Sequence, residues 1–154
     1  MNKLIVAVMA VLLIGLPLLA SASGQHPSKE EVKAFVDKAV NYAKVNGKEQ
    51  ALKEYMNPQG EFFSGELYIF AYDFDGNVIS HGAKPALVGK NLLRLKDAKG
   101  LSVIEELRNI AMGGEGWLRY YWDNPVEKKV MPKMGYVVKV DDSWWLGSGM
   151  YEEE

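Results

Sequence analysis

The chain of 154 residues contains no cysteine. An exported domain without a disulfide framework must rely on its core for stability, and a lipid anchor on an N-terminal cysteine is excluded. Histidine is nearly as scarce. His26 and His81 are the only two, short of the three or four convergent ligands that a metal site needs. Neither charge dominates. Eighteen basic residues stand against 20 acidic ones, which leaves no basic field for nucleic acid. There is no internal repeat and no low-complexity tract. The glycines of "MGGEG" and "GSG" form no G-x-G-x-x-G between strand and helix, and no Walker lysine follows them. "DFDGN" begins like a calcium loop, but Val78 stands at the sixth position and Lys84 at the twelfth, where glycine and a carboxylate are required. Asp75-Gly76 reads as a hairpin turn instead. The residue types of a Ser/His/Asp set are present, yet no nucleophile-elbow sequence marks a reactive serine. With no motif that carries a mechanism, the reading is a non-enzyme without cofactor or metal.

Only one long apolar run exists, "MNKLIVAVMAVLLIGLPLLASASGQ" at the N-terminus. One cation (Lys3), an apolar stretch broken by Gly15 and Pro17, and the triplet Ala20-Ser21-Ala22 together describe a secretory signal peptide, residues 1–22. The competing reading is an uncleaved anchor, for which this run is at the low edge of spanning length. Cleavage after Ala22 leaves 23–154 as one domain, too short for two, in the periplasm or secreted.

That domain opens with helical sequence. Ser28 followed by Glu31 fits a capping box. Val32, Phe35, Val36, Ala39, Val40 and Ala43 form one apolar face, and Asn46-Gly47 is a stop. "KEQALKEYM" is a second helical piece ended by Asn57-Pro58. Strand-like runs then flank Asp75-Gly76, and residues 83–100 read as a long connection with a short helical turn. "LSVIEELRNIAMGG" is helical again. Strands are expected at 116–122, about 134–140 and 144–151, with 123–133 as loop. Short links between successive strands argue for an antiparallel sheet in an α+β fold. Gly147 and Gly149 alternate in the last strand, where glycine marks close approach of a covering helix or a ligand; the helix is the simpler expectation.

The stretch "GWLRYYWDNPVEKKVMPKMGYVV" carries the chemistry. A face bearing Tyr120, Trp122 and Tyr136 supplies apolar walls with polar tips that need partners. Pro132 restricts the backbone beside Lys133 and holds a cation near that patch. Apolar walls, a few fixed donors and one cation suit a small anion, above all a carboxylate. A packed sheet face with solvated lysines is the other reading of the same residues. His81 either donates to the ligand or satisfies a loop carbonyl.

These residues resemble a known family. L-Y-x-F-x-Y-D, D-G, H-x-x-x-P/L-V-G-x-N-L, D-x-x-G, G-W-x-x-Y-x-W and P-K-x-x-Y, in that order, are similar to the single Cache domains of bacterial extracytoplasmic sensors. The resemblance implies a PAS-like α+β fold, with a central antiparallel sheet of about five strands and a long N-terminal helix along it. It implies sensing of a small organic acid of the acetate, propionate, lactate or pyruvate class. Carried over by position, the pocket draws on Tyr68, Phe70, His81, Tyr120, Trp122, Lys133 and Tyr136. Lys133 takes the carboxylate, Tyr120 and His81 bond it, and the rest form walls; Arg119 falls on the opposite face. Family members usually sit between two membrane helices and drive a kinase or chemoreceptor, whereas here "YEEE" follows the last strand. The expectation is a soluble binding protein, or one presenting its ligand state to a separate membrane kinase, chemoreceptor or transporter. A homodimer through the N-terminal helix is a further possibility. The alternative is an interaction subunit that binds no ligand.

Overall fold

The computed structural model describes residues 26–154. The expected leader and its cleavage site lie outside the described residues. Among those described, no helix is long and apolar enough to cross a membrane.

Helix α1, Lys29–Asn46, starts on the expected capping box: Ser28 Oγ accepts from the Glu31 amide and the Glu31 carboxylate accepts from the Ser28 amide. Gly47 ends it at φ 84°, a conformation that other residues rarely adopt. Helix α2, Lys48–Tyr55, follows at once. A small ladder, β1 (Phe63–Ser64) with β2 (Leu67–Tyr68), leads into the main sheet. Strands β3 (Phe70–Asp73) and β4 (Val78–His81) flank the Asp75-Gly76 turn, and a 3₁₀ turn at Pro85–Leu87 lies in the connection that follows. Helix α3, Val103–Met112, precedes three long strands: β5 (Glu115–Asp123), β6 (Val130–Asp141) and β7 (Trp144–Tyr151).

The five-stranded sheet runs β4-β3-β7-β6-β5, antiparallel throughout. Alternation gives it two apolar faces. One packs under α1 and α2, where Val32, Val36, Ala39, Val40 and Ala43 bury against Ile69, Ala71, Tyr136, Trp144 and Leu146. The outer side of α1 carries Lys33, Asp37, Lys38, Asn41 and Lys44, so the surface that a helix-mediated homodimer would use is polar. The second face gathers Tyr68, Phe70, Tyr72, Tyr120, Val137 and Trp145 under Val103, Ile104, Leu107 and Ala111 of α3.

One boundary differs from expectation. Pro132 and Lys133 lie inside β6, not in a loop. The Pro132 carbonyl accepts from the Glu152 amide, just past the end of β7. A strand residue's N–H and C=O point to the same side, so the missing N–H of Pro132 faces the edge where β7 runs out. No ladder bond to β5 is lost, which is the setting in which a strand tolerates proline.

Candidate functional site

The α3-facing side of the sheet carries the aromatic and cationic residues. Tyr120 lies opposite Lys133 across β5 and β6, Lys133 lies opposite Tyr151 across β6 and β7, and Phe70 pairs with both Gly147 and His81. These pairings bring Tyr68, Phe70, His81, Tyr120, Trp122 and Lys133 to one side. Phe70, His81, Tyr120 and Trp122, with Val103, Ile104 and Leu107 from α3, line a cavity of about 10 Å³. That is about the room one water requires.

Glycines form the floor. The Tyr120 ring lies over Gly135, the Lys133 stem over Gly149 and the Phe70 ring over Gly147. A Cβ on Gly149 would stand 2.7 Å from Lys133 Cε, and one on Gly147 would stand 2.8 Å from the Phe70 ring and collide with the Tyr136 carbonyl. The close approach expected at Gly147 and Gly149 therefore comes from the sheet's own side chains and backbone, which corrects the covering-helix reading. Gly147→Ala is expected to lower stability by about 2–3 kcal/mol, the upper part of the range for overpacking because one clash is with backbone. A urea midpoint unchanged from the parent would refute it.

Lys133 is fully buried, and its Nζ donates to Tyr68 Oη at 2.8 Å. The ammonium also lies 4.1 Å from the Tyr68 ring centroid, 4.9 Å from that of Tyr151 and 5.4 Å from that of Phe70. Cation–π attraction supplies part of its stabilisation. Among the described residues no carboxylate forms an ion pair with it. Burial pulls its pKa down to about 7, with Glu66 opposing weakly. Glu66 is itself engaged by His26 at 2.7 Å and Asn124 at 2.6 Å.

The hydroxyls beyond Lys133 form a directed chain. Tyr151 donates to the Asp123 carbonyl at 2.6 Å, so its oxygen is the acceptor in the 3.2 Å contact with Tyr68. Protons therefore run Lys133 to Tyr68 to Tyr151 to Asp123. Burial holds both tyrosines well above their ordinary pKa and so neutral.

His81 does two jobs. Its Nδ1 accepts from the Lys84 amide at 3.0 Å, so the loop partner expected of it is an amide rather than a carbonyl. Burial, with Lys133 and Lys84 adding to it, lowers its pKa to about 3. A neutral imidazole whose Nδ1 is an acceptor carries its proton on Nε2. Its ring lies 5.1 Å from Tyr68 and 6.5 Å from Trp122. Burial also raises the Tyr120 pKa, and no hydrogen bond within the described residues contributes to that shift. Lys84 pairs with Asp123 across the outer rim.

Tyr136 is not in the site. It stands three residues from Lys133, and an odd step turns a side chain to the other face of a strand. It pairs instead with Trp117, ring centroids 4.8 Å apart, and accepts from Lys33 of α1 at 2.8 Å. Arg119 is likewise turned away and bonds Glu152 at 2.9 Å. Sequence reasoning missed Tyr151 and the α3 residues Val103, Ile104 and Leu107. For the latter a signal existed, because an apolar helical stripe must cover some sheet face.

The Cache domain profile (dCache_2) matches residues 61–154. Over 88 residues the chain is 38% identical to the sensor histidine kinase MctS of Rhizobium johnstonii. That stretch is 56% of this chain and only 19% of the kinase. Among solved structures, a methyl-accepting chemotaxis protein from Vibrio parahaemolyticus aligns with a TM-score of 0.72 at 33% identity, covering 80% of this chain and 87% of the other. A Cache chemosensory domain, solved to explain its carboxylic acid recognition, aligns at 0.62 and 25% identity, over 79% of this chain and 86% of that one. A profile match over most of the described residues, with solved structures that share the overall fold, settles the family: this chain belongs to the Cache domain family.

Proposed function

We propose that this domain is an extracytoplasmic sensor module that binds a short-chain carboxylate of the acetate, propionate, lactate or pyruvate class and reports it to a membrane partner. One observation carries the reading. His81 and Tyr120 are the polar residues lining the cavity, no carboxylate lines it, and the buried Lys133 ammonium lies behind the Phe70 wall, 5.4 Å from that ring's centroid. Donors without a matching acceptor suit an anion, and apolar walls suit a short hydrocarbon body. In this reading Lys133 Nζ turns from Tyr68 toward the cavity to meet the carboxylate, with Tyr120 and His81 as further donors. The profile match and the similarity to a sensor kinase and a chemotaxis protein support a sensing role outside the cytoplasm, with a kinase or chemoreceptor as the natural partner.

Acetate's four heavy atoms, at roughly 1.5 kcal/mol each, limit affinity to tens of micromolar. A second reading, an interaction subunit of a sensor or transporter complex whose pocket takes no ligand, is favoured by the narrowness of the cavity, about 10 Å³. A thermal-shift panel of C2 to C4 acids with their uncharged amides separates the two. A dose-dependent rise with acids alone is expected. A flat response at millimolar acid would sink the carboxylate reading and leave the interaction subunit.

A further inference from the structure

The cavity's walls are unequal. Val103, Ile104, Leu107, Phe70 and Tyr120 are buried in one core cluster, and the Lys84 amide pins His81. Trp122 differs. It is only partly buried, and it borders both the cavity of about 10 Å³ and an open groove of about 370 Å³ outside it. Leu87, Leu92, Leu95 and Tyr121 give that groove apolar stretches, and Lys84, Lys90, Lys96, Asp97 and Asp123 are its charged lining. The Trp122 indole meets Tyr120 edge-on at 6.1 Å and lies roughly parallel to His81 at 6.5 Å. These contacts hold it as a partition without enclosing it.

A four-atom acid exceeds the space of one water, so a wall must yield. Close-packed side chains have nowhere to go, while the indole has the groove behind it. We propose that Trp122 is the specificity-determining partition of the site: it is the wall that yields to admit a short acid, and its bulk sets the upper chain length by separating the carboxylate chamber from the Leu87–Leu92–Leu95 groove. This rests on the carboxylate reading above. Removing the indole joins the two spaces and extends the ligand class to acids with longer apolar tails, the head staying at Lys133 and the tail lying in the groove.

The test titrates acetate, butyrate, hexanoate and octanoate into the parent, Trp122→Ala and Trp122→Ala/Leu95→Asp, by calorimetry alongside thermal shift. The parent should bind acetate and butyrate and lose affinity at hexanoate. Trp122→Ala should weaken acetate, which loses a wall, and gain affinity for longer acids, by about fourfold per methylene buried in the groove, reaching at least about 30-fold for octanoate over the parent. Leu95 is exposed, so Leu95→Asp leaves the core intact and should erase only the long-chain gain. If Trp122→Ala does not fold, Trp122→Leu gives the same comparison with an apolar side chain retained. An unchanged chain-length limit, or octanoate binding by the parent as tight as by the variant, overturns the partition while leaving acetate binding in place. No response to any acid in any variant overturns both this inference and the carboxylate reading.

Discussion

Lys133→Met is expected to give a protein that is more stable than the parent and blind to every carboxylate. Both effects follow from one fact: a fully buried cation whose polar contact is a tyrosine hydroxyl. Methionine fills nearly the same volume and leaves no charge to desolvate. Burial takes the lysine pKa from its usual 10.5 to about 7, and each unit corresponds to about 1.4 kcal/mol. A gain of about 2–4 kcal/mol is therefore expected at neutral pH, after allowance for the lost cation–π contacts. The sign is specific. A lysine whose pKa falls on folding penalises the native state fully below about pH 7, and the penalty fades as pH rises toward the unfolded value of 10.5. The gain in Tm should shrink between pH 7 and pH 10. A destabilised Lys133→Met variant would mean that the lysine is a net structural asset, and retained acid binding would remove its role in the site.

Acid affinity in the parent should fall about 50-fold between pH 7 and pH 9. Binding needs the protonated lysine, and the free protein gives up that proton near pH 7. Above that value each binding event must take a proton from solvent, so the dissociation constant rises tenfold per pH unit until the pKa of the complex is reached. Below pH 7 the affinity should level off, then drop as the ligand's own carboxyl protonates near pH 4 to 5. The groups facing Lys133 do not mask this. Tyr68 and Tyr151 have raised pKa values, and His81 titrates near pH 3. Glu66 acts on the lysine by charge, in the direction that raises its pKa. Calorimetry in two buffers of different ionisation heat measures the proton uptake directly. A pH-independent affinity from 7 to 9 would show that Lys133 is not the anion's partner.

Much of the fold could be read from the chain. The capping box at Ser28, the stripe on α1 and the Asp75-Gly76 turn are local signals, and neighbours in sequence decide them. The site was less legible, because it depends on which residue faces which across strands. Lys133 reads as a loop residue since proline precedes it; only the run-out of β7 makes that proline compatible with a strand. Tyr136 reads as a wall until the register places it one odd step from Lys133. Gly147 and Gly149 announce a close approach but not its source, which is set by pairings with β3 and β6. His81 stands at the end of β4, and its tautomer depends on the amide three residues on.

The position of β7 also dictates when the molecule can fold. It is the seam between the β3–β4 hairpin and the β5–β6 hairpin, and α1 packs on it more than on any other strand. Until residues 144–151 have been synthesised, the nascent polypeptide holds two hairpins with no common partner and a helix with no surface to land on. Joining β3 to β7 closes about half of the chain into one loop, a slow, non-local step. Synthesis runs from the N-terminus, so this domain stays unfolded until its last strand emerges.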